Sequence, residues 1–166
     1  MSIFKGNSVL VTGCSGTVGS ELVRCLTQDE SFKAEKVVGI DNSESSLFFQ
    51  EQEYLDYAST RFLLADVRDK YGLREAFLGV NIVFHAAALK HVVMCEKTPR
   101  QAIKTNIEGV QNIIDCAFEA SVEKVIFTSS DKAVNPTNVM GTSKLMGERM
   151  ITAACNRTGS SGPIFA

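Results

Sequence analysis

The chain has no apolar run long enough to span a membrane, no CxxC pair, no internal repeat and no low-complexity tract, and its net charge is only −2. Each absence removes a class of function. A bilayer helix needs roughly 20 apolar residues, so no membrane partner is expected for this chain. No secretory leader precedes "SIFKGNSVLVTG", which reads as the opening of a soluble, cytoplasmic form. With so little net charge, neither nucleic acid nor an anionic membrane is an expected partner. The five cysteines, Cys14, Cys25, Cys95, Cys116 and Cys155, are odd in number and scattered. Cys25, Cys116 and Cys155 fall in apolar-periodic segments, the pattern of reduced thiols rather than of disulfides or zinc ligands. No metal site is expected.

The 166 residues, 45% hydrophobic and 22% charged, suit one soluble domain with a substantial core. Short apolar runs alternate with helical patterns. Strands are expected at 8–13, 36–41, 61–66, 81–88 and 124–130, and helices at 18–29, 46–57, 70–79, 100–121 and 139–158. Continuous apolar strands separated by amphipathic helices imply a doubly wound α/β fold, a parallel sheet covered on both faces. "PIFA" at the end reads as the start of a sixth strand. Residues 1–166 are therefore read as a dinucleotide-binding domain whose C-terminal, substrate-gripping region is missing. "NRTGSSG" (156–162) is the one candidate flexible linker.

The first strand runs into "TGCSGTVG" (12–19), with Gly13, Gly16 and Gly19 spaced for a tight turn into a helix. Such a turn presents backbone N–H groups and the positive end of a helix to a pyrophosphate. Ser15, Thr17 and Val18 belong to the same expected contact. Asp41 closes the second strand, about 20 residues on, where an acceptor for a ribose 2′-hydroxyl belongs. Asp66 and Val67 close the third strand and could face the adenine, and Ala86 and Ala87 close the fourth. The cofactor is expected to be NAD or NADP. Asp41 favours NAD because it would repel a 2′-phosphate, while Arg68 nearby keeps NADP open.

"TGCSGTVG", Asp66-Val67, "HAAA" (85–88), the Asn of "KTNIEGVQN" and the Ser pair before "MGTSK" occur in the order seen in extended short-chain dehydrogenase/reductases. The chain resembles that superfamily along essentially its whole length. "AAALKHVVMCEKTPRQAIKTNIEGVQNIIDCA" and "SSDKAVNPTNVMGTSK" are similar to one branch, the UDP-N-acetylglucosamine 4,6-dehydratases of polysaccharide and glycan biosynthesis. The resemblance implies a Rossmann fold and a bound NAD(P). It also implies oxidation at C4 of a UDP-sugar, loss of water across C5–C6 and return of hydride to C6. Whether C5 is inverted is left open.

One more absence is local. The superfamily's YxxxK motif has Met140 where Tyr is expected, and a thioether moves no proton. The sequence is similar to a Met form within the branch, so Met140 marks a variant rather than a lost activity. The resemblance implies that Asp131 and Lys132 serve as acid and base of the elimination. Giving Asp131 the C4–OH proton as well is an inference from the missing Tyr. Ser130 is expected to hydrogen-bond the C4 oxygen, Lys144 to donate to the nicotinamide ribose, and Met140 to pack against sugar or nicotinamide.

Lys90 and His91 are the candidate substrate contacts. Ser129, His85 and Asn106 are expected to be structural, and Thr137 or Asn138 to cap the last helix. By analogy with the superfamily, a homo-oligomer would pair through the helices at 100–121 and 139–158. Two other readings stay open: an epimerase or reductase of the same fold, and a non-catalytic dinucleotide-binding module.

Overall fold

A computed structural model describes Ser2, residues 4–157 and residues 162–166. Six strands, β1 (Ser8–Thr12), β2 (Lys36–Asp41), β3 (Thr60–Leu64), β4 (Ile82–His85), β5 (Lys124–Phe127) and β6 (Ile164–Phe165), form one sheet in the order β3-β2-β1-β4-β5-β6. Every adjacent pair is parallel. The chain winds outward from β1 to β3, then crosses back to place β4 on the other side of β1. That reversal opens a crevice at the carboxyl ends of β1 and β4, where open α/β sheets bind ligands.

Two apolar layers cover the sheet. On one face Leu10, Val83 and Val125 pack with Leu73 of α3 (Lys70–Ala76), Ile113 of α6 (Gly109–Glu119) and Ile151 of α7 (Val139–Arg157). On the other, Val9, Val11 and Val37 pack with Val23 and Leu26 of α1 (Thr17–Gln28) and Leu47 of α2 (Glu44–Glu53). Side-chain alternation along each strand is what feeds both layers. The doubly wound sheet and the sixth strand agree with the sequence reading.

The strands are shorter than their apolar runs. Residues 86–88 and 128–130 leave the sheet at its carboxyl edge, where they build the site. The long helix expected at 100–121 is composite: α5 (Pro99–Ile103), a π-helical turn at Lys104–Glu108, then α6. A short helix, α4 (Val92–Lys97), follows β4 where a loop was expected. Six residues give little helical periodicity, and a helix of that length depends on its tertiary contacts. Asn156 and Arg157, where the expected helix (139–158) and the candidate linker (156–162) overlapped, belong to α7, whereas residues 158–161 lie outside the described residues. No helix among the described residues is long and apolar enough to cross a membrane.

Candidate functional site

A cleft of about 550 Å³ opens at the carboxyl ends of β1 to β4. Gly13, Gly16, Thr17 and Val18 line it from the glycine turn, Asp41 and Asn42 from the end of β2, and Asp66, Val67 and Arg68 from the end of β3. Ala86, Ala87, Lys90 and His91 line it from the segment after β4. Residues spread over almost 80 positions in the sequence thus meet around one cavity.

The turn is built for close approach. Gly13 has φ +67°, and a Cβ there would lie 2.7 Å from the Ala87 Cα. A Cβ on Gly19 would lie 2.0 Å from the Gly13 carbonyl oxygen. Gly16 caps α1 without a side chain, and no acidic residue occupies the first turn. The N–H groups of that turn are therefore left to an anion in the cleft. This is a cradle that fits a pyrophosphate.

Asp41 joins the turn to β2. One carboxylate oxygen accepts the Ser15 N–H at 3.1 Å and the other accepts the Ser43 N–H at 2.9 Å. Ser15 does not line the cleft. Its hydroxyl donates to Gln50 Oε1 at 3.1 Å, on the far side of the loop, because α2 supplies a buried amide there. Gln50 also donates to the Cys14 carbonyl at 2.9 Å. Sequence reading missed Gln50, which looks like any polar residue on a surface helix.

At the end of β3, Arg68 Nε donates to Asp66 at 2.9 Å. The guanidinium, a second bond from the Arg68 N–H and a weaker one from Asn42 lower the Asp66 pKa to about 2. Arg68 is thus already engaged by a carboxylate.

Behind the segment after β4, Asn106 projects from the π-helical turn. It accepts the Leu89 N–H at 2.8 Å, donates to the Leu89 carbonyl at 3.0 Å and donates to Ser143 Oγ at 2.9 Å. Ser143 in turn donates to the Met140 carbonyl at 2.7 Å. The π-turn brings Asn106 into register with both partners, a use of such turns that recurs at functional sites. Asn138 caps α7 by accepting the Gly141 N–H at 2.8 Å, as one of the two expected caps.

Met140 is 3% exposed and packs with Cys95 and Ala102. The structure therefore places it in a core cluster rather than on the wall of the cleft where the sequence reading put it. Lys144, one turn on, is 6% exposed; its ammonium donates to the Thr128 carbonyl at 2.5 Å and lies 4.3 Å from the Phe127 ring centroid. Burial lowers its pKa to about 8.

Ser130, Asp131 and Lys132 lie just past the end of β5, with Ser130 capping a 3₁₀ turn at Asp131–Ala133. Ser130 Oγ donates to Asp131 at 3.0 Å and accepts the Lys132 N–H at 3.2 Å. Lys132 Nζ lies 3.3 Å from the Asp131 carboxylate, and their side chains are 48% and 85% exposed. The Ser130 and Lys132 bonds hold the Asp131 pKa below the usual carboxylate range. The pair stands beside the cleft without lining it. Ser129 turns away and donates to Glu148.

The fold and the cleft together define a doubly wound, Rossmann-type domain with a glycine-turn cleft at its switch point. The chain belongs to the polysaccharide biosynthesis protein family, whose model matches residues 9–166. A UDP-N-acetylglucosamine 4,6-dehydratase (inverting) of Campylobacter jejuni is 38% identical over 164 residues, 99% of this chain and 48% of that protein. The structure of Pen from Bacillus thuringiensis superposes with a TM-score of 0.93 at 39% identity, covering 99% of this chain and 50% of that one. MoeE5, solved in complex with UDP-glucose and NAD, superposes at 0.76 with 26% identity, covering 90% and 50%. The chain spans about half the length of the relatives it matches.

Proposed function

We propose that this chain is the dinucleotide-binding part of a UDP-N-acetylglucosamine 4,6-dehydratase that uses NAD. The reading rests on the Asp131–Lys132 pair, held by Ser130 at the carboxyl edge of β5 beside the glycine cleft. An adjacent carboxylate and amine are what an elimination of water needs: one group to protonate the leaving hydroxyl, one to take the carbon acid's proton. The 38% identity to the inverting dehydratase supports the same choice.

Gly13, the α1 N-terminus, Asp41 and Asp66 would hold the dinucleotide, and Lys144 would donate to its ribose hydroxyls. Bound there, the dinucleotide supplies a reversible hydride acceptor. Asp131 takes the proton of the sugar C4 hydroxyl, assisted by Ser130. Lys132 removes the proton from C5. The C6–O bond then breaks as Asp131 returns its proton to the departing hydroxyl, and water leaves; the hydride taken from C4 ends on C6 and a solvent-exchanged proton on C5, which gives the C6 methyl group. Met140 moves no proton and acts by packing. NAD is preferred because Asp41 repels a 2′-phosphate and the nearby Arg68 is engaged by Asp66.

The test is proton NMR on the full-length protein that carries this chain, in D₂O with UDP-N-acetylglucosamine and NAD. A new C6 methyl signal with deuterium at C5 is the expected result. A C4 epimer without a methyl signal would replace the reading with an epimerase. An unchanged sugar with NAD bound would replace it with a binding module.

A further inference from the structure

The short helix α4 has one side on the cleft and the other on α7. Met94 lines the cleft, as do Lys90 and His91 just before the helix. On the opposite side Cys95 is fully buried against Met140 and Ala102. Next to it, Glu96 reaches across 43 positions of sequence and accepts the Val139 N–H at 2.6 Å. Val139 is the first residue of α7, so its N–H has no partner within the helix. A carboxylate at that end also opposes the positive pole of the helix. Met140 is the next residue of the helix, and Lys144 lies one turn further on.

We propose that Glu96 is a positioning residue, which braces α7 against α4 and so couples the filling of the cleft to the placement of Met140 and Lys144. The proposal rests on the dehydratase reading for its effect on turnover, but not for the brace itself. Asn138 and Glu96 serve different groups at this end of α7: Asn138 caps from within the local chain, whereas Glu96 ties the helix to a segment that faces the cleft. Glu96 is exposed, so its replacement leaves the core intact. A ligand that presses on residues 90–94 has a mechanical path, through one rigid turn and one charge-assisted bond, to the helix bearing Lys144.

The experiment compares E96A, E96Q and V93A in the full-length protein. Val93 lies on the same helix, is 64% exposed and lines no part of the cleft. Hydrogen exchange at the Val139 amide is read first, because it needs no substrate. E96A is expected to exchange about fivefold faster or more there. Its kcat on UDP-N-acetylglucosamine should fall about tenfold, with KM and NAD affinity changed less than about twofold. E96Q, whose amide oxygen still accepts the N–H, should recover most of both, and V93A should match the wild type. Wild-type exchange at Val139 in E96A overturns the brace, whatever the turnover. Faster exchange with undiminished kcat overturns the coupling. If the wild type does not dehydrate the sugar, the dehydratase reading fails, and the exchange result still decides the brace.

Discussion

Thr12 Oγ1 and His85 Nδ1 lie 2.7 Å apart on the paired strands β1 and β4, buried beneath the cleft. Thr12 Oγ1 also accepts the Ala87 N–H at 3.2 Å, so one hydroxyl joins the buried imidazole to the backbone that follows β4. Among the described residues Nε2 has no hydrogen-bond partner.

Burial first, then the Lys144 charge, lower the His85 pKa from 6.5 to about 3. Between those values the unfolded chain binds the proton and the folded one does not. Stability should therefore fall as pH drops from about 6.5 toward 3, with a slope near 1.4 kcal/mol per pH unit from this group. Urea unfolding from pH 7 to pH 4 measures it. H85Q should flatten that slope; an unchanged slope would assign the acid sensitivity to other groups.

Lys144 shows the matching effect at high pH. Its folded pKa of about 8 lies below the ordinary 10.5, so the unfolded chain holds the proton more tightly. This group's contribution to stability should rise between pH 8 and 10.5. K144M should abolish that rise and cost about 100-fold in kcat. A K144M enzyme with normal turnover would remove Lys144 from the site.

Asp131 is 85% exposed, so its replacement leaves the packing untouched. D131N keeps the shape and loses the proton acceptor. Turnover should drop by about 100-fold or more, with NAD titration unchanged. Retained turnover would mean that another group carries the proton that a Tyr carries elsewhere.

Gln50 holds the glycine turn from behind. Q50L leaves the buried Cys14 carbonyl without this donor, which costs about 1–3 kcal/mol. With the turn loosened, NAD affinity should fall about tenfold, near 1.4 kcal/mol. Calorimetric unfolding and NAD titration read the two effects separately. Stability lost with affinity kept would mean that Asp41 and the glycine geometry hold the turn unaided.

The parts of this protein legible in the sequence are the ones written in neighbouring residues. Apolar runs and helical spacing gave the alternation of β and α, because both periods are local. The spacing of Gly13, Gly16 and Gly19 marked the turn, because Gly13 and Gly19 stand where a Cβ has no room. Met140 and Lys144 could be set one helical turn apart from their numbers alone. Tertiary structure decided what depends on pairs distant in the chain. It sealed Met140 among Cys95 and Ala102, turned Ser15 away toward Gln50, and made Glu96 a brace for α7. It also shortened the strands to free residues 86–88 and 128–130 for the site. Packing and hydrogen-bond satisfaction act between surfaces that meet only after folding, so no local period records them.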